Sequence, residues 1–349
     1  MSNKAVQIST NGTTWYTLPG NQGSYTDELN ETKDTVFGQT FESNQPNIGQ
    51  WNIQANAIFK GIVGYNMVIF KGGTPTSTTA EACALVSGKT YQVTNTAHRV
   101  MDYNNTVTVL DNSVNQTANV LSIDYLTGTV TFLSTYTVTG PVTMTYYYVP
   151  MTQIAKAKST KLSLTQTAID QTGYDDAQTN SGFRVMVPGL RSVTLELGNI
   201  FKASNAWETA LQGRGYVMIV LDLNGDGLTV FRGFFKLSKR TQSGNQGEVE
   251  AETVSAMLWV PPGALVAFPA NWYISGSSTL ATAVQAVLTA WVNQTTIYAR
   301  YLPSGASGQS PLDGISGSAF PIDCSLDNAV DGLNTFTVNM RGTANPTIV

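Results

Sequence analysis

Apolar and polar residues alternate with a period of two along most of this chain, and the alternating runs stop at Gly, Asn and Asp. That period marks strands, because successive side chains point to opposite faces of a sheet. Thr106–Leu110, Thr129–Phe132, Val142–Val149, Arg191–Leu197, Tyr216–Leu221 and Phe336–Met340 are predicted strands, closed by turn residues. Further strands are expected at Tyr65–Lys71, Leu228–Leu237, Glu250–Val260, Thr295–Tyr301, Ile315–Cys324 and Leu333–Arg341. Gly72–Thr79 and Gly244–Gly247 read as a Thr/Ser-rich linker and a Gly-rich loop.

Two segments carry helical spacing instead. In Thr279–Trp291, Leu280, Val284, Val287, Leu288 and Trp291 fall on one face, and Ser277, Ser278 or Thr279 can cap its start. In Ala203–Gly213, Trp207, Ala210 and Leu211 share a face, Asn205 can cap, and Gly213 stops the helix.

The chain also repeats itself. Phe183 stands 142 residues after Phe41, and at the same offset, without gaps, Pro188 follows Pro46 and Ile200-Phe201-Lys202 follows Ile58-Phe59-Lys60. The alternating positions 51, 53 and 55 meet 193, 195 and 197. An ungapped register of Pro and Ile-Phe-Lys points to duplication. The elements expected after Lys202 (helix, strand, hairpin, strand) recur only near the C-terminus. The reading is therefore a split first domain, residues 1–72 plus 268–349, holding two insertions: a small β domain at 73–150 and the second copy at 151–262. It requires Trp51–Phe59 to pair with the C-terminal strands.

Composition narrows the function. Only 12% of the 349 residues are charged, about half the usual share, while 42% are hydrophobic. Charge is depleted in interface cores, so this surface suits burial against copies of itself. The net charge of −4 and the lack of a Lys/Arg cluster argue against gripping nucleic-acid phosphates. Met1–Ala5 has no apolar signal core, and no run of about 18 apolar residues suggests a membrane span. Cys83 and Cys324 lack metal spacing and read as free thiols of a reducing compartment.

Candidate chemistry is sparse. His98 is the only histidine, and no G-x-S-x-G motif is present, so no catalytic residue is assigned and no cofactor is expected. Asp222-Leu-Asn224-Gly-Asp226-Gly227 resembles the start of a calcium loop, but Gly233 stands where the bidentate Glu belongs. The flanks are strand-like, so a hairpin turn is the expectation, and Asp222, Asn224 and Asp226 stay as candidates for cation binding at its tip. Asp175–Asp176 reads as a solvated acidic pair. Glu248, Glu250 and Glu252 alternate along one strand face and are candidates for an acidic wall that repels phosphates. Trp15–Tyr16 and Tyr146–Tyr147–Tyr148 read as packing aromatics.

Several stretches in order carry a family resemblance. Val6-Gln-Ile8-Ser-x-Asn-Gly12-Thr-Thr-Trp15-Tyr-x-Leu18-Pro19-Gly20 is similar to the opening of bacteriophage tail tube subunits. Thr35-x-Phe37-Gly-Gln-Thr-Phe41, Pro46 and Ala57-Ile58-Phe59-Lys60-Gly61 continue it. Pro188-Gly-Leu190 with Ile200-Phe201, and Asp331-Gly-Leu333-Asn-Thr-Phe336-x-Val338-x-Met340-x-Gly342-Thr, resemble later elements of major tail proteins. Ser122-Ile-Asp124-Tyr125-x-x-Gly128-x-Val130-x-Phe132 resembles small decorating β domains, of immunoglobulin-like kind.

The resemblance implies a mainly β fold: two sandwich- or barrel-like tail tube domains, each with one packed helix, plus the small inserted β domain. It implies a non-enzymatic virion protein, made in the host cytoplasm, whose rings stack into a channel for DNA. Single-copy relatives form hexameric rings, so two copies imply a ring of three chains with pseudo-sixfold symmetry. Asn21–Gln45 and Asp170–Val187 would be loops reaching the neighbouring ring. Tape measure, tail terminator and distal tail proteins are the implied partners, with phage DNA passing unbound and no membrane. Other phage virion assembly parts, such as a distal tail or decoration protein, and a carbohydrate-binding adhesin module are the competing readings.

Overall fold

The computed structural model describes residues 4–33, 44–63, 68–154, 159–173, 183–201, 206–222, 227, 229–244, 251–260, 270–274, 281–305, 314–329 and 333–349. The fold is mainly β, of curled antiparallel sheets, with two α-helices among the described residues. The chain divides into two compact units. One holds Met1–Tyr65, Ser159–Leu195 and Gly276–Val349, the other Asn66–Lys158 and Glu196–Ser275. These boundaries differ from the expected ones. Ser159–Leu195, expected in the second copy, packs with the terminal segments, and 73–150 packs together with 196–275.

In the first unit the N- and C-terminal segments share one sheet. Asn44–Val63 pairs antiparallel with Leu333–Gly342, from Arg341 opposite Asn52 to Leu333 opposite Val63. On its other side it pairs with Gly20–Lys33. Beyond Leu333–Gly342 follow Ile315–Ala329 and then Ser159–Asp170. Pro321, which has no N–H to give, sits where the ladder of Ile315–Ala329 slips register. Ile297–Leu302 and Ala5–Ser9 extend the sheet further.

One face of this sheet is the core. Trp51, Ile53 and Ala55 are at most 2% exposed and lie on the side of Phe336, Val338 and Met340. The long helix Thr282–Asn293 packs there and buries Val284, Val287, Leu288 and Trp291, the face read from the spacing. Its start differs from the expectation. Ala281 occupies the cap position without a side-chain hydrogen bond, and Ser277, Ser278 and Thr279 lie outside the described residues. Its end is closed by Gln294 in the left-handed region, φ 53°.

The second unit carries a seven-stranded antiparallel sheet running from Val120–Asp124 through Thr129–Phe132, Thr90–Val93, Thr76–Ser87, Val142–Tyr148 and Thr108–Asp111 to Val114–Asn115. Val109, Val130, Phe132, Met144 and Tyr146 form its core. Its second sheet joins Met151–Ile154, Val68–Gly72, Val217–Asp222 and Thr229–Ser243, and the last of these pairs with Ala251–Leu258 and Ala270–Ile274. The short helix Ala206–Gln212 packs on Thr229–Ser243 and buries Trp207. Arg214, φ 52°, rather than Gly213, takes the left-handed position after it.

Two segments expected as loops are strands. Gly20–Lys33 pairs along its length with Asn44–Val63, so most of the supposed loop Asn21–Gln45 is sheet, with 34–43 outside the described residues. Thr76–Ser87 takes up half of the supposed linker, paired from Thr76 opposite Tyr148. Gly20–Lys33 has few apolar residues and Thr76–Ser87 opens on a Thr/Ser run, so a reading based on hydrophobic alternation passes over them. Thr is nonetheless at home on a pleated surface once a partner strand is present.

Candidate functional site

The most unusual surface is the outer face of the first unit's sheet. Successive strands place Thr165, Asp323, Asn339, Gln54 and Ser24 in one cross-strand row, and Ser163, Ser325, Thr337, Asn56 and Gln22 in the next. A third row runs Lys161, Asp327, Thr335. Hydroxyls and amides dominate, since most inward residues of these strands are apolar (Thr160, Gln166 and Asn334 are buried exceptions) and the alternation leaves the polar set outside. The few charges offset one another: Lys161 Nζ lies 3.8 Å from Asp327. The amides also bond across the strands, Asn56 Nδ2 donating to Gln22 Oε1 at 2.9 Å and Gln50 Nε2 to Glu28 at 2.8 Å. Chemically the face is hydrophilic, nearly neutral, and lacks a basic cluster that would hold a phosphate backbone.

The acidic candidates stand elsewhere. Glu248 and Glu250 lie outside the described residues. Glu252 is 1% exposed and accepts hydrogen bonds from Arg240, 2.8 Å from Nε and 3.2 Å from the guanidinium NH2. Glu252 points to the inner face of its sheet, which it shares with buried Val254 and Ala256. With its charge matched by Arg240, Glu252 is part of a packed ion pair and contributes no open acidic wall within its unit.

Asp222 ends the strand Val217–Asp222, is 7% exposed, and its Oδ2 accepts from the Gly227 N–H at 2.8 Å, with Gly227 at φ 73°. That bond ties a hairpin between antiparallel strands, as expected for a turn. Asn224 and Asp226, like Asp175–Asp176, lie outside the described residues. No group of three metal-ligating side chains occurs among the described residues.

His98 Nδ1 lies 3.1 Å from Glu81 Oε2, and its ring stacks on Tyr148 at 3.9 Å. Burial raises the Glu81 carboxyl, but hydrogen bonds from Thr78, His98 and Asn95 outweigh it and hold the group below its ordinary value. The nearby Cys83 thiol is pushed up to about 12 by burial and by Glu81, which keeps it protonated and a poor nucleophile. Both cysteines are free thiols, and burial pushes Cys324 up as well. Tyr146 is a core residue whose hydroxyl donates to the His98 carbonyl at 2.9 Å. Trp15 lies under the Arg300 guanidinium at 4.2 Å.

Other buried polar groups organise the fold and carry no sequence signal. Asp111, 1% exposed, accepts from Tyr136 Oη at 2.7 Å and from the Thr139 and Gly140 N–H groups at 2.8 Å each, which gathers the loop before Val142–Tyr148. Asp102 accepts from the Tyr216 hydroxyl and from Asn105, joining residues 114 apart in the chain. Arg191, in the strand Met186–Phe201, reaches the C-terminal carbonyls Trp291 and Val292 of the long helix, and lies over the Trp291 ring at 5.6 Å. No helix is long and apolar enough to cross a membrane among the described residues. Compared with known proteins, the chain matches no protein-family model and no curated protein.

Proposed function

We propose that the chain is a non-enzymatic structural subunit of a bacteriophage tail tube, self-assembling into stacked rings around a channel for DNA. The reading rests on the ordered resemblance of its opening, middle and closing motifs to tail tube subunits. Among structural observations, the doubled plan supports it most. Trp51, Ile53, Ala55 and, at the repeat offset, Val193, Leu195, Leu197 are buried alike. The second set is followed by Ala206–Gln212 and the meander Val217–Asp222, Thr229–Ser243, Ala251–Leu258. Near the C-terminus the same sequence recurs as Thr282–Asn293, Ile297–Leu302, Ile315–Ala329, Leu333–Gly342. A chain with two such sets can place three copies around a pseudo-sixfold ring.

On this reading the amide- and hydroxyl-covered sheet face is the channel wall. The cation in its rows, Lys161, already faces Asp327, so a passing polyanion finds little to hold it and DNA moves past without sticking. The rings engage a tape measure inside and terminator and distal tail proteins at the ends, and the protein resides in the virion.

Negative-stain electron microscopy over a concentration series tests the proposal. Rings or tubes with a central channel are expected, with three chains per ring. A protein that stays monomeric at every concentration, and does not add to preformed tail initiation complexes, would overturn it.

A further inference from the structure

The second unit contains a cleft of about 600 Å3, where residues of its two sheets approach each other. Gly72 and Gly73 line one side, Asp102 and Asn104 another, and Tyr216, Lys236, Trp259 and the Arg214–Gly215 turn the rest. Cavities of this size accept whole small molecules rather than single ions.

The electrostatics are one-sided. Asp102 is the only carboxylate on the described walls, and both its oxygens are taken, Oδ1 by the Tyr216 hydroxyl and Oδ2 by Asn105. Lys236 and Arg214 line the cleft without a carboxylate partner among the described residues. Lys236 Nζ lies over Trp259 at 5.2 Å. Lys71 also lines the wall, but its ammonium is engaged above Trp207 at 5.9 Å. Two cations without a carboxylate partner among the described residues, in a chain of net charge −4, leave this cleft locally positive.

The remaining walls suit a hydroxylated body. Thr74 and Asn104 present polar side chains, and Gly215, where an added Cβ meets nothing within 4 Å, leaves the cleft open on its side. Tyr216 and Trp259, stacked at 4.8 Å, form an aromatic floor, an apolar surface suited to the C–H groups of a sugar.

We infer that this cleft binds an acidic saccharide unit, a sugar bearing a carboxylate or a phosphate, with Arg214 and Lys236 on the anionic group and the Tyr216–Trp259 pair beneath the ring. The inference does not depend on the tail tube reading, since the cleft is built within one unit.

Titration calorimetry and ligand-observed NMR with D-glucuronate, D-glucose 6-phosphate, neutral D-glucose and inorganic phosphate test it. Saturable binding is expected for the two acidic sugars, with glucose at least tenfold weaker. Arg214→Gln and Lys236→Gln should each weaken the acidic sugars roughly tenfold, the loss of one charge-assisted hydrogen bond. Both side chains are exposed, so folding should be unaffected. Gly215→Trp should abolish binding by filling the cleft, because a Cβ at Gly215 meets nothing within 4 Å. Absence of saturable binding, or binding that all three variants leave unchanged, would overturn the site. Inorganic phosphate binding as tightly as the sugars would overturn its assignment to a saccharide.

Discussion

The indole of Trp51 occupies the space where a side chain of Gly342 would stand. A Cβ on Gly342 would lie 2.0 Å from Trp51 Cε2, and one on Gly317 would lie 2.6 Å from its Cζ2. The two glycines are on adjacent strands, with Gly342 opposite Ala319. Their missing side chains leave a slot for an aromatic that is 1% exposed and donates its Nε1–H to the Ala344 carbonyl at 2.6 Å.

Gly342→Ala should therefore destabilise the protein by about 2 kcal/mol or more, the cost of overfilling a packed core. Trp51→Phe should be destabilising alone but should recover part of that loss in the double variant, because the smaller ring vacates the slot. Chemical denaturation of the four proteins gives the coupling. Additive effects would refute the contact as the source of strain.

The Arg240–Glu252 pair carries a second expectation. Arg240→Met strands a carboxylate that is 1% exposed, at a cost of about 3–5 kcal/mol. Adding Glu252→Leu should restore most of the loss, since paired removal of buried charges is often nearly neutral. Urea unfolding midpoints decide it, and a double variant no better than Arg240→Met would contradict the pairing.

Acid sensitivity should concentrate at Asp111. Burial raises its carboxyl, but hydrogen bonds from Tyr136, Thr139 and Gly140 prevail and hold it below its ordinary value of 3.8. A depressed folded-state value means the stabilisation is complete above about pH 4 and drains away as pH falls through the folded value. Asp111→Asn should lower the melting temperature at pH 6 and flatten its decline between pH 4 and pH 2.5. Parallel acid profiles for the two proteins would show that Asp111 does not set the slope.

The nearly neutral sheet face can be challenged with charge. Gln54→Lys with Thr337→Lys places two cations in neighbouring cross-strand rows. The variant should retain duplex DNA at 20 mM salt and release it as salt rises, while the unaltered protein retains none at either salt. Fluorescence anisotropy of a labelled duplex reads both. Equal retention by the two proteins would remove the argument that the face is passive toward DNA.

Much of the architecture is legible from alternation alone. Thr129–Phe132 is a strand with the bounds read from sequence, and Val142–Tyr148 and Val217–Asp222 shift by a single residue. The helix around Val284, Val287, Leu288 and Trp291 is equally plain, because four buried residues on one face leave little else to read. The polar strands were hidden, since Gly20–Lys33 is stabilised by its partner and not by its own apolar positions. Alternation does not tell which way Glu252 points, and Arg240, its buried partner, stands in another strand. Asp102 and Tyr216, or Arg191 and the helix end at Val292, meet only after folding. Local sequence has no means of announcing such partners.

The pairing of Asn44–Val63 with Leu333–Gly342 also has a consequence for biosynthesis. Some 280 residues separate the two strands, and at bacterial translation speeds they emerge roughly 15 to 55 s apart. During that interval a 20-residue strand waits with one long edge uncovered, at the stage when nascent chains are most exposed to wrong partners. Its scarcity of large apolar side chains on the outward positions Asn52, Gln54 and Asn56 keeps that waiting edge soluble.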